Sequence, residues 1–133
     1  MNAPIPPKKK HGLLLFSTAV LLTLVTTPFG ILFSVFKRIK SRSDLSTHFM
    51  TQAIEIDQTG NLIMKDVFNA TLITKEGCSF GNPDETISSV LGKNEAKGTL
   101  TKTGKALVAI LHKLDPNHAY NSIDTKLPCE KVQ

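Results

Sequence analysis

Acid, hydroxyl, amine and imidazole side chains come close together in one part of this sequence. Asn82, Asp84, Glu85, Ser88, Ser89 and Lys93 fall in a single short run, and His118 follows further on. General acid-base chemistry would require one of these carboxylates, or the histidine, to be desolvated beside a substrate. The same residues have a simpler reading. Asn82 can accept from the free amides of a helix start, Pro83 fits the first helical position, and Asp84 and Glu85 oppose the positive end of the helix dipole. The run is therefore an interaction or capping segment. Glu85, Ser88 and Ser89 share one helical face, with Glu85 and Ser88 as the favoured contacts, while Ile87, Val90 and Leu91 can turn toward a core. His118 stands three residues after Asp115, a spacing that places both at one helix start. Two such groups are too few for a closed metal site, so neither metal nor cofactor is expected.

Other motifs fail on their partners. Lys102-Thr103-Gly104 matches a triplet of penicillin-recognising enzymes, but the S-x-x-K that must accompany it occurs only at Ser34 to Lys37. Residues 98–105 miss the phosphate-loop spacing, and Ala106 stands where a magnesium-binding hydroxyl is needed. Asn69-Ala70-Thr71 is a lone glycosylation triplet of a kind that arises by chance.

The elements that must position the segment are helices. The cap signature predicts a helix over 83–91, closed by Gly92. A second is expected over 101–114, with Leu100, Thr103, Leu107, Ile110, Leu111 and Leu114 along one stripe. Asp115-Pro116 then starts a short helix over 116–123. Upstream, Ser43-Asp44 can cap a helix whose apolar or small residues recur at Leu45, Phe49, Ala53, Ile56, Gly60, Ile63, Val67 and Ala70, making one face. A rival reading of 53–66 is a β-hairpin, because Ile54-Glu55-Ile56 alternates and residues 57–61 resemble a turn with Gly60-Asn61 as its weak point. The fold class expected is mainly α, with one N-terminal transmembrane helix ahead of a small helical domain.

The transmembrane expectation rests on residues 13–36, which carry no charge. As a helix they reach roughly 36 Å, enough for a hydrocarbon core of about 30 Å. Pro28 and Gly30 interrupt the run, and Thr23, Thr26 and Thr27 are at hand to satisfy freed carbonyls. A signal peptide or a buried core helix is the alternative. Lys8, Lys9 and Lys10 precede the span, and Lys37, Arg38, Lys40 and Arg42 follow it, a near tie that slightly favours a cytoplasmic C-terminal domain. After residue 42 the chain holds nine basic and eleven acidic side chains, a net of −2, so the formal +5 belongs to the anchor. A domain without a cation excess is not built to displace counterions from nucleic acid, and no nucleic-acid partner is expected. Two cysteines, Cys78 and Cys129, are too few for a disulfide-dense scaffold, and no metal-binding spacing includes them.

The stretch Phe80-Gly81-Asn82-Pro83-Asp84-Glu85-Thr86-Ile87-Ser88-Ser89-Val90-Leu91-Gly92-Lys93 resembles a motif of small uncharacterised proteins encoded by bacteriophages and prophages, roughly G-[DN]-P-D-E-T-I-S-x-x-x-G-K. Ile56-Asp57-Gln58-Thr59-Gly60-Asn61 is similar to their hydrophobic-D-x-x-x-N segment, and Asp115-Pro116-Asn117-His118 to their D-x-x-H-C close, with Ala119 where many have cysteine. The resemblance implies a phage-associated context and no assigned activity. Some relatives lack the span, which implies a cytoplasmic side for the domain.

Five regions result: a basic tail (1–12), the span (13–36), a basic linker (37–43), the helical domain (44–124) and a flexible tail (125–133). The function expected is a membrane-anchored, non-enzymatic interaction or structural protein, phage-associated, acting at the bacterial envelope or in a membrane-containing particle. Its partners are the lipid bilayer and another protein or a second copy. The alternative is a small membrane-tethered enzyme using Asp84, Glu85 or His118.

Overall fold

The computed structural model describes residues 11–41 and 44–131; Lys8, Lys9, Lys10 and Arg42, with Ser43, lie outside them. Among the described residues the fold is helical, with no strand beyond two isolated antiparallel bridges, Ile73 with Leu100 and Cys78 with Lys131. The chain divides into two compact units, Met1–Ser46 and Thr47–Gln133.

The first unit is built on α1 (Gly12–Ser41), which contains Pro28. Over Gly12–Lys40 it is long and apolar enough to cross a membrane, and Leu13, Phe16, Leu21, Leu24, Phe29, Phe33 and Phe36 all point outward. Proline has no N–H and leaves the carbonyl four residues back, that of Leu24, without its helical donor. Thr26 does not repair it, since its hydroxyl bonds the Leu22 carbonyl at 2.8 Å.

The second unit holds α2 (Leu45–Ile63, starting in the first unit), α3 (Lys65–Thr71), α4 (Ile87–Lys97), α5 (Lys102–Leu114) and α6 (His118–Asn121). Residues 53–66 are helical through Gly60-Asn61, which excludes the hairpin; the turn falls at Met64 instead. Asn61 survives inside a helix because its side chain is fully buried and hydrogen-bonded to a distant loop. The Asp44 carboxylate accepts from the Ser46 amide at 2.9 Å, as a capping aspartate should.

The face made by the apolar stripe lies largely outside the core. Phe49, Ile56, Ile63 and Val67 are 39, 67, 61 and 52% exposed. Periodicity identifies residues that share a face and not the direction in which it points.

α4 is the centre of the domain. Residues 88–94 are buried without a break, and Val90 and Leu91 are fully enclosed, each side chain contributing about 1.5–3 kcal/mol by its removal from water. They pack with Leu72, Ile73, Phe80, Leu100, Val108 and Ala119. Phe68 and Phe80 meet edge to face at 5.2 Å. Gly92 does not end the helix; it lies against the Ala119 backbone so closely that a Cβ would collide, and this contact lets α6 sit on α4. α4 runs on to Lys97, and Gly98, at φ 68°, closes it in the left-handed conformation that glycine adopts without penalty.

α5 begins where expected, with the Thr101 hydroxyl accepting from the Gly104 amide. Its inward side is Gly104, Leu107, Val108 and Leu111, whereas Thr103, Ile110 and Leu114 are exposed. The expected stripe is therefore rotated by about one residue. The short helix begins at His118 and not at Pro116, behind Asn117 at φ 62°.

Cys78 and Cys129 form a disulfide across a sequence separation of 51 residues. It fastens the end of the chain, expected to be a flexible tail, onto the loop after α3. The Ser79 amide also donates to the Glu130 carbonyl at 2.7 Å, and Lys131 pairs with Glu76 at 3.2 Å.

Candidate functional site

The segment that stands out in sequence is a loop leading into α4, and three asparagines hold it. Asn94 accepts from the Cys78 amide at 2.8 Å and donates to the Cys78 carbonyl at 2.9 Å, closing a two-way bond with one residue. Asn69 does the same with Phe80, at 2.8 and 3.1 Å. Asn61 accepts from the Gly81 amide at 2.9 Å and donates to the carbonyls of Asn82 and Glu85 at 3.1 and 2.7 Å. A primary amide carries donor and acceptor side by side, so it can replace a strand partner for an isolated piece of backbone. That is why the loop is ordered without a sheet. It also commits the amide of the Asn69 glycosylation triplet to an internal contact.

The capping reading moves by four residues. Asn82 accepts from the Asp84 amide at 3.0 Å and makes a local Asx turn, while the true cap is Thr86, which accepts from the Ser89 amide at 3.0 Å.

Glu85, Ser88, Ser89 and Lys93 are buried rather than displayed, with Glu85 only 4% exposed. Glu85 forms an ion pair with Lys93 and accepts from the Ser89 hydroxyl at 2.7 Å. Lys93 also donates to the Leu127 carbonyl at 2.8 Å, and the Ser89 oxygen accepts from the Asp124 amide at 3.0 Å. This network fastens the C-terminal segment to α4. A buried charge that keeps its partner and satisfies its remaining donors is tolerated; removing one partner strands the other.

Ser88 turns the other way. Its amide and hydroxyl both donate to the Asp57 carboxylate, at 3.3 and 2.9 Å, and Gln58 donates to the Asp84 carbonyl at 3.0 Å. Asp57 and Asn61 are one turn apart on α2, so both reach the same loop. The His118 imidazole pairs with Asp115 at 2.9 Å. These groups border an open cleft of about 450 Å³, walled by Asp57, Asp84, Asp115, Asp124, Ser88 and His118, with Met50 and Ile54 as its apolar side. No lysine or arginine lines it, which leaves the cleft negative.

The structure thus brings Asp84, Ser88 and His118 to one cleft and withdraws Glu85, Ser89 and Lys93 into the interior. The Ser88 proton is directed to Asp57 and the His118 Nδ1 to Asp115, so no hydroxyl–imidazole pair is assembled for nucleophilic attack. Among the described residues no three His, Cys, Asp or Glu side chains converge as metal ligands. Asp57, Asn61, Asn69, Asn94 and Asp124 were not among the candidate side chains of the sequence. Asp57 and Asn61 had a signal in the D-x-x-x-N spacing; Asn69 and Asn94 had none, because a helical asparagine gives no indication of the backbone it will meet. No family model, no curated protein and no solved structure matches the chain.

Proposed function

We propose that this is a single-pass membrane protein whose second unit serves as a non-enzymatic interaction or structural module. The observation that carries the reading is the use of the motif's reactive groups inside the fold. Glu85, Ser89 and Lys93 bond to one another and to the C-terminal segment, and Ser88 bonds to α2, which fits a scaffold better than a reaction centre. The outward apolar side chains of α1 support the anchor. The resemblance of residues 80–93 supports a phage- or prophage-associated role at the bacterial envelope.

The flanking cations favoured a cytoplasmic domain by a narrow margin. The Cys78–Cys129 disulfide supports the opposite side, because such bonds persist in oxidising compartments and are rare in the reducing cytosol. The domain is accordingly proposed to lie on the periplasmic or outer side, with the basic N-terminal residues inside.

The test is extraction of the full chain from membranes. Retention through high-salt and alkaline washes is expected, since insertion does not depend on charge screening; release by salt would contradict the anchor. The open cleft favours a second reading, an enzyme using Asp84 and His118, from which buried Glu85 is removed. Purification from native membranes separates the two. A stoichiometric protein partner or self-assembly supports the module, and a monomer with turnover that is lost in His118→Ala supports the enzyme.

A further inference from the structure

The apolar stripe along α2 and α3 lies largely outside the core: Gly60 sits against Ile87 and Ala53 borders the cleft, but the larger side chains are exposed, and their spacing is that of a helical seam. Phe49, Ala53, Ile56, Gly60, Ile63, Val67 and Ala70 alternate in steps of four and three, a 3.5-residue period sustained over three heptads. Phe49, Ile56, Ile63 and Val67 are exposed, and Gly60 is half-buried. The register carries through the turn at Met64, where the Met64 amide bonds the Gly60 carbonyl and the Phe68 amide bonds the Met64 carbonyl, both at 2.9 Å. Meanwhile α2 is attached to its own domain by polar groups, through Asp57 to Ser88, Gln58 to Asp84 and Asn61 to the loop. A helix that packs inward by hydrogen bonds and turns its hydrophobic residues outward has kept them for another surface.

We propose that this seam pairs with the same seam of a second copy, forming a parallel two-helix contact beside the membrane. The inference rests on the anchor reading, since copies held in one bilayer share an orientation and a high local concentration. A two-fold contact then sets Ile56 against Ile56 and Ile63 against Ile63. Charge favours this occupant over a lipid surface. The two helices of the seam carry one cation, Lys65, against Glu55, Asp57 and Asp66, whereas helices that lie on anionic headgroups are rich in cations. Across a parallel copy the flanking pairs would be Thr59 with Met64 and Asp66 with Thr71, neither like-charged, while Asp57 is held inward by Ser88.

The experiment uses the full chain in native membranes with single cysteines introduced at Ile56, Ile63 and, on the opposite side of α2, Thr51, joined by a short bis-maleimide. Cys78 and Cys129 are disulfide-bonded and do not react. Ile56→Cys and Ile63→Cys are expected to give a dimer band, at about tenfold the yield of Thr51→Cys. Ile56→Glu, at an exposed site where folding is little affected, is expected to lower crosslinking through Ile63→Cys about tenfold. Equal yields at all three positions, monomer alone, a band at another protein's mass, or dimer unaffected by Ile56→Glu would overturn the proposal. The same pellets report the anchor separately: a monomer that resists alkaline washing ends the seam proposal and leaves the anchor standing.

Discussion

Asn94 is fully buried and uses both ends of its amide, donating to Val90 and Cys78 carbonyls and accepting from the Cys78 amide and the Thr99 hydroxyl. Asn94→Ala leaves the Cys78 backbone without partners in the interior, so a loss of about 1–3 kcal/mol is expected in urea unfolding. Asn94→Asp should be no remedy, because it keeps the acceptor and loses both donor bonds. A second residue-scale prediction concerns Glu85 and Lys93. Either Glu85→Ala or Lys93→Ala alone should cost about 3–5 kcal/mol, since each strands a buried charge. The double variant should cost clearly less than the two singles combined, and additive losses would show that the pair is not coupled. At this scale Asp57 and Asn61 are marked in the sequence only by the D-x-x-x-N resemblance; that they lie one helical turn apart and reach the same loop is set by the fold. The sequence was silent on Asn69 and Asn94, whose partners lie eleven and sixteen residues away and are set only by folding.

At the scale of elements, the helices were legible and their ends and faces less so. Asn82-Pro83-Asp84 has the chemistry of a helix start and equally that of a turn, and the turn prevailed because Asn61 holds the backbone of residues 81–85 in place. Thr86→Ala should therefore cost about 0.5–2 kcal/mol, and Thr86→Ser should restore most of it. Asn82→Ala, which removes only a local Asx turn, should cost less, and the reverse order would return the cap to Asn82. The direction of the face along α2 and α3 was not legible for a different reason. Seven residues at heptad spacing are as suitable for an intermolecular seam as for a core, and the domain already fills its core with Leu72, Phe80, Val90, Leu91 and Val108. Gly92 was legible as special and wrong in role. It serves close packing between α4 and α6, so Gly92→Ala should destabilise the domain by more than the reverse of alanine's usual advantage in a helix, measured as a fall in melting temperature.

At the scale of the molecule, a small domain gains much from closing a long loop. In the chain-entropy view a bond across 51 residues removes about 4 kcal/mol of freedom from the unfolded chain. Cys129→Ser should thus lower stability by about 2–4 kcal/mol and loosen residues 124–131, visible as faster amide exchange at Ser79 and Asp124. The most direct test of an anchored domain on the oxidising side is thiol labelling of the full chain in spheroplasts with a membrane-impermeant maleimide, before and after an impermeant reductant. No labelling is expected at first, then two labels per chain after reduction, on protein that remains in the alkali-washed membrane pellet. Labelling that appears only after the membrane is broken, or a chain found in the wash, would contradict that placement.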